Sequence, residues 1–217
     1  GMQAGQLITT GNQNTYVGWD SGRYQTLGSN NTALGAGAGK YQTGSSNTWI
    51  GQGAGFGLSS APYSNGSNNT AVGKSAMANG GRALQQYTTA LGVEAGFYTT
   101  GSYNTFVGGK AGYGGTTSAP YSSGQSNTAL GYEALKVFTT GGNNVAIGKG
   151  SSPALTTGIG NVSIGVSANE SSTTGDSNVA IGYNSHRYIS AGDKNIAIGY
   201  AALQSSGTPA NNDAQYN

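Results

Sequence analysis

Apolar residues in this chain come as pairs split by one other residue and closed by a glycine: Val145 and Ile147 before Gly148, Val162 and Ile164 before Gly165, Val179 and Ile181 before Gly182, Ile196 and Ile198 before Gly199. Alternation with period two is the signature of a short strand. An Asn precedes each pair, so the kernel reads Asn, then Thr, Val or Ile, then any residue, then Val, Leu or Ile, then Gly. Its closing glycines are Gly18, Gly35, Gly51, Gly73, Gly92, Gly108, Gly131, Gly148, Gly165, Gly182 and Gly199, which makes eleven copies. Only the copy at Thr88–Gly92 lacks the Asn.

The intervals between closing glycines are 17, 16, 22, 19, 16, 23, 17, 17, 17 and 17 residues. The unit is therefore 16 or 17 residues, with insertions before Gly73, Gly92 and Gly131. A second glycine usually lies seven residues ahead of the first, as Gly141 does for Gly148, and a small residue lies three after it, as in Ala38, Ala54 and Ala134. Glycine makes up 40 of 217 residues, a density at which no helical apolar stripe survives. One unit is too small to fold alone, so units must stack on one another. The expected fold is all-β: a parallel β-roll, or β-solenoid, of about eleven coils. At about 4.8 Å per coil it would form a rod roughly 50 Å long. The recurring Asn either forms a ladder of stacked amides or serves a left-handed turn. Residues 1–8 read as a remnant ahead of the repeat domain at 9–203. Within that domain, 9–131 holds Thr-type coils with insertions and 132–203 regular Val/Ile-type coils. Residues 204–217 read as a tail.

The Val/Ile pair reads as facing inward, and its first position is Thr in seven coils (Thr15, Thr32, Thr48, Thr70, Thr89, Thr105, Thr128), which predicts a wetter interior there. The middle position then faces outward. It is mostly small, and a stripe of Ala146, Ala180, Ala197 and their counterparts predicts close approach of another chain. Trp49 and Phe106, with Tyr16, replace the small residue and would plug that interface.

Charged residues are 7% of the chain and the formal net charge is +2, against about 25% charged in ordinary domains. With no basic patch, nucleic acid is not an expected partner. Absence of cysteine excludes disulfides and thiol chemistry. No apolar run has membrane-spanning length, and neither a metal-ligand spacing nor a cofactor motif occurs.

The units "N-N-V-A-I-G", "N-V-S-I-G" and "N-V-A-I-G-Y" resemble the head repeats of trimeric autotransporter adhesins. The longer "T-T-G-S-Y-N-T-F-V-G-G-K-A-G" is similar to repeats of phage tail fibres. The resemblance implies a side-by-side homotrimer of left-handed parallel β-rolls. It also implies a place on a virion tail fibre or a bacterial surface and a role in attachment to a cell-surface glycan or outer-membrane component.

Both long units carry "S-A-P-Y-S", at Ser60–Ser64 and Ser118–Ser122, each after a glycine-flanked aromatic, Phe56 or Tyr113. A loop added to a regular solenoid serves something other than its core, so Tyr63, Tyr121, Phe56 and Tyr113 are the candidate binding residues; packing over a neighbouring chain is the competing role. Catalysis has little to work with: Glu94 and Glu133 share a register two coils apart, roughly 10 Å, wide for a glycosidase pair. His186 has no triad partner and reads as a surface loop residue. An adhesive trimeric fibre is thus the leading expectation and no enzyme is expected. A structural spacer is the alternative; an ice-binding solenoid and a glycan-degrading fibre stand behind it. Ice binding is disfavoured because inward Thr residues cannot order external water and no flat Thr-x-Thr pair recurs.

Overall fold

The structure, a computed structural model, describes residues 1–59, 64–79, 85–115 and 121–204. It contains eleven three-residue strands and no helix among these residues. The strands begin with β1 (Thr15–Val17), β2 (Thr32–Leu34) and β3 (Thr48–Ile50), continue at each kernel, and end with β11 (Ile196–Ile198). They form one parallel sheet in strict sequence order. Kernel lies on kernel without slippage: Thr15 faces Thr32, Tyr16 faces Ala33 and Val17 faces Leu34, and the same register holds through Val179 on Ile196. The chain is therefore a parallel β-solenoid.

Hydrogen bonding between coils is not confined to the strands. Gly22 N–H donates to Ala38 O at 2.8 Å, Tyr24 to Lys40 O at 2.9 Å and Thr9 to Thr26 O at 2.9 Å, so the wall opposite the strand is also stitched to the next coil. Residues 1–8 belong to this pattern rather than lying outside it, because Gly5 and Leu7 donate to Ser21 O and Arg23 O. Short parallel bridges between successive coils, Gln42 with Ser64 and Thr99 with Ser122, continue this stitching.

The sense of the strand faces is the reverse of the sequence expectation. The middle kernel residue points into the coil: Ala33, Trp49, Ala71, Ala90, Phe106, Ala129, Ala146, Ala180 and Ala197 are all at most 2% exposed. The Thr/Val/Ile and Val/Leu/Ile positions on either side point out, and Val17 and Ile198 are 52% and 65% exposed. Trp49, Phe106, Ala146, Ala180 and Ala197 are thus core residues of a single chain and cannot contact another chain through their side chains. The reason is the width of the coil. A 16- or 17-residue turn brings its two walls so close that the small third residue after the closing glycine (Ala54, Ala95, Ala111 and Ala134, each 0% exposed) fills the gap. Two β-branched side chains per coil do not fit between them.

The fourth residue after each closing glycine adjusts the remaining space. Where the middle residue is Ala, this position holds a larger side chain in the C-terminal coils: Ala129 with Leu135, Ala180 with His186. Where the middle residue is aromatic, it is glycine: Tyr16 with Gly22, Trp49 with Gly55, Phe106 with Gly112. A Cβ at any of these three glycines would run into the ring. The indole of Trp49 also overlies Gly39 of the preceding coil, where an added Cβ would sit 2.6 Å from it. All these fourth positions have φ near +50 to +60°, among them Gly55 at +57°, Leu135 at +51° and His186 at +52°, so the non-glycine residues accept a left-handed backbone in order to fill the core.

The kernel Asn builds a buried ladder. Each side chain reaches one coil forward. Its Oδ1 accepts from the next kernel's backbone N–H, as Asn127 Oδ1 does from Asn144 N at 3.0 Å and Asn144 Oδ1 from Asn161 N at 2.9 Å. Its Nδ2 donates to the next coil's turn glycine, as Asn144 does to Gly158 O at 2.8 Å. The Asn residues thus satisfy backbone groups that would otherwise be orphaned in the interior. The left-handed backbone falls one residue earlier, at Gln13, Asn30, Ser46 and their counterparts. The ladder is weakest at Thr88, whose hydroxyl receives Asn104 N–H at 3.4 Å.

Polar groups lie inside the solenoid along its length, among them Gln25, Gln85 and Thr99 in the Thr-kernel coils and Ser152, Asn169 and His186 in the last ones. Ser152 donates to Ser163 Oγ at 2.7 Å, Asn169 Nδ2 to Ser152 Oγ at 3.4 Å, and His186 Nδ1 lies 2.8 Å from Asn169 Oδ1. His186, expected on the surface, is fully buried. Burial pushes its pKa down to about 4, so the ring is neutral at pH 7. Because the amide oxygen can only accept, Nδ1 carries the proton.

Candidate functional site

Stacking in register turns every repeat position into a column along the rod, and a column of aromatics forms wherever successive units place one at equivalent positions. The fifth and sixth residues after the closing glycine do this. Tyr24 stacks on Tyr41 (centroids 4.8 Å apart), and Phe56 meets Tyr41 edge-on at 5.2 Å. Further along, Phe97 stacks on Tyr113 at 5.4 Å, Tyr98 meets Tyr113 edge-on at 5.3 Å, and Tyr98 stacks on Tyr121 at 6.0 Å. Burial, then the neighbouring Tyr98 and Glu94, push the Tyr113 hydroxyl pKa up.

Between the two clusters the column is interrupted. The coil that separates Phe56 from Phe97 has Ala78 in their place, and Gly37 and Gly53 lie alongside, Gly37 under the edge of the Phe56 ring. The gap is a cleft of about 340 Å³ whose sides are Trp19, Gln52, Phe56, Lys74, Asn79 and Phe97. Trp19 is 56% exposed. Space beside Gly53 is open: a Cβ there would meet nothing nearer than Ser75 Oγ at 3.7 Å.

Charge at the cleft is organised around one buried acid. Asp20, 1% exposed, is paired with Lys40 Nζ at 2.7 Å and Arg23 at 3.5 Å. The Lys40 ammonium also sits 5.4 Å from the Trp19 ring and 5.7 Å from Phe56, within cation–π range. Partial burial would lower the Lys40 pKa, but the bond to Asp20 and the charges of Tyr41 and Asp20 outweigh it and hold the pKa above its ordinary value. Lys40, already neutralised, thus stands beside two of the lining rings, and the cleft wall itself carries Lys74, which is exposed.

Of the four aromatic residues marked by the sequence, Phe56 lines the cleft, Tyr113 and Tyr121 belong to the cluster beside it, and Tyr63 lies outside the described residues. Trp19, Phe97, Gln52 and Lys74 were not singled out as binding residues. The signal for them was present as register: Phe56 and Phe97 hold the same place after their closing glycines, with a small residue between. The carboxylates weighed for catalysis are engaged in ion pairs: Glu133 with Lys136 at 2.9 Å, whose hydrogen bond holds its pKa below the usual carboxylate value, and Glu94 with Lys110 at 3.9 Å. Arg187, next to His186, pairs with Glu170. No protein-family model matches the chain, and neither a curated protein nor a solved structure is found to be similar to it.

Proposed function

We propose that the chain is the rod of a homotrimeric fibre, built from left-handed coils lying side by side on a virion tail fibre or bacterial surface, that attaches to a glycan or outer-membrane component of another cell. The observation that carries this reading is the outward face of the sheet. Val17, Leu34, Leu91, Leu130, Ile164 and Ile198, all 36% exposed or more, fall in one straight column, beside a second column of Thr, Val and Ile. An apolar strip running the length of a rod is far larger than the isolated patches a monomer tolerates. Parallel and repeating every coil, it is suited to its own copies. The aromatic clusters lie on a different wall and remain available to a ligand. Three chains would multiply weak single contacts.

The test is the solution mass together with retention on cells. A mass near three times 21.6 kDa with retention on a target surface is expected. A monomer overturns the fibre reading, and a trimer that no cell surface retains reduces it to a spacer.

The outward Thr column favours one second reading. Thr15, Thr32, Thr70, Thr89 and Thr105 are exposed in register, which removes the first of the two reasons against ice binding, although no Thr-x-Thr pair recurs. The same face cannot be buried in a trimer and order water, so a monomer with measurable thermal hysteresis would replace the first reading with this one.

A further inference from the structure

Resting on the attachment reading, we propose that the cleft between Phe56 and Phe97 is a glycan subsite, selective for pyranose rings that bear an acidic group. Phe56 and Phe97 stand two coils apart, about 10 Å, with Ala78 between them, so a flat ring can enter where the column lacks a side chain. Trp19 and the two Phe rings offer apolar faces of the kind that stack on the C–H face of a sugar. Gln52, Ser75 and Asn79 line the same space and supply donors and acceptors for hydroxyl groups. A mostly apolar lining with a few convergent polar groups, at the lower end of the 300–1,000 Å³ typical of ligand clefts, is the ordinary form of a small-molecule site.

The acidic preference follows from charge. Asp20 is consumed by Lys40 and Arg23, and Glu94 on a flanking coil is paired with Lys110. The charged residue in the lining is Lys74, and Lys40 stands beside the Trp19 and Phe56 rings, so the side chains at the opening are cationic. Lys74 is exposed and positioned to meet a carboxylate, sulfate or phosphate on a ring held by the aromatics.

The test is binding of the full chain to an array of immobilised neutral, uronate-, sialate-, sulfate- and phosphate-bearing glycans, followed by titration with the best free oligosaccharide. Trp19 is one of only two tryptophans, and the other, Trp49, is buried, so ligand entry is read as a change in the exposed component of the fluorescence. Retention of acidic glycans is expected, weakened at least tenfold by Lys74→Glu and by Trp19→Ala. Both replace exposed side chains, and unchanged circular dichroism and solution mass exclude a folding defect. Retention indifferent to both variants overturns the cleft, and retention of neutral glycans alone overturns the acidic preference. No glycan retention with persisting attachment to cells also overturns the subsite, while leaving the attachment reading intact with a protein receptor.

Discussion

At the scale of single residues, the interior is set by paired choices rather than by general hydrophobicity. Trp49 is tolerated because Gly55 and Gly39 make room for it. Trp49→Ala is expected to leave a cavity costing about 3–5 kcal/mol, measured as a fall in the urea midpoint. Thr88 marks the weak rung of the amide ladder. Thr88→Asn restores a side chain that spans to Asn104 N–H and the Gly101 carbonyl. A gain of about 1 kcal/mol and a rise in Tm of about 2–4 °C are expected, read by thermal circular dichroism. Much of this was legible beforehand: the alternation at Val145 and Ile147 located the strands, and the Asn recurrence allowed for a ladder. The inside of the strand was not, because a period of two says only that Val145 and Ile147 share a side opposite Ala146. Chemistry pointed to Val and Ile as core, and coil width decided otherwise. The aromatic–glycine pairs, Trp49 with Gly55 and Phe106 with Gly112, both six residues apart, hold the information that would have reversed the choice.

At the scale of one coil, the polar column of the last units makes stability depend on pH. His186 is neutral when folded, with its pKa lowered from 6.5 to about 4. Its unfolded form binds a proton first as pH falls. The contribution is therefore fully present above about pH 6.5 and is lost as pH drops towards 4. The gap corresponds to on the order of 3 kcal/mol at most. His186→Asn, placing there the residue that Asn169 supplies one coil earlier, is expected to flatten the dependence between pH 6.5 and 4 in denaturant titrations. An unchanged slope would show that the ring does not carry it. The site at this scale was half legible: Phe56 stood out beside a long insertion, whereas Phe97 and Ala78 acquire meaning only once coils three, four and five are laid over each other.

At the scale of the whole molecule, the rod separates its surfaces by wall. The strand wall is aliphatic and the turn wall carries the aromatics and ion pairs. Leu91→Lys together with Leu130→Lys is expected to convert a trimer to monomers, seen by light scattering, while the strand signal persists. Both residues face outward, at 47% and 45% exposure, so neither supports the interior. Loss of secondary structure along with the mass change would mean that the coil cannot stand without its neighbours.

The aromatic–glycine sockets have a bearing on how such a chain finds its own register. Eleven near-identical kernels could pair in many shifted arrangements of almost equal backbone energy. Trp49 stacked on a coil that carries Met77 or Leu135 where Gly39 stands would collide, and Phe106 moved off Gly96 would meet the same obstruction. Three bulky keys at Tyr16, Trp49 and Phe106, admitted only where glycine holds the fourth position, therefore give an otherwise monotonous chain its addresses, and a slip that sets one of them on a filled fourth position would be rejected by shape alone.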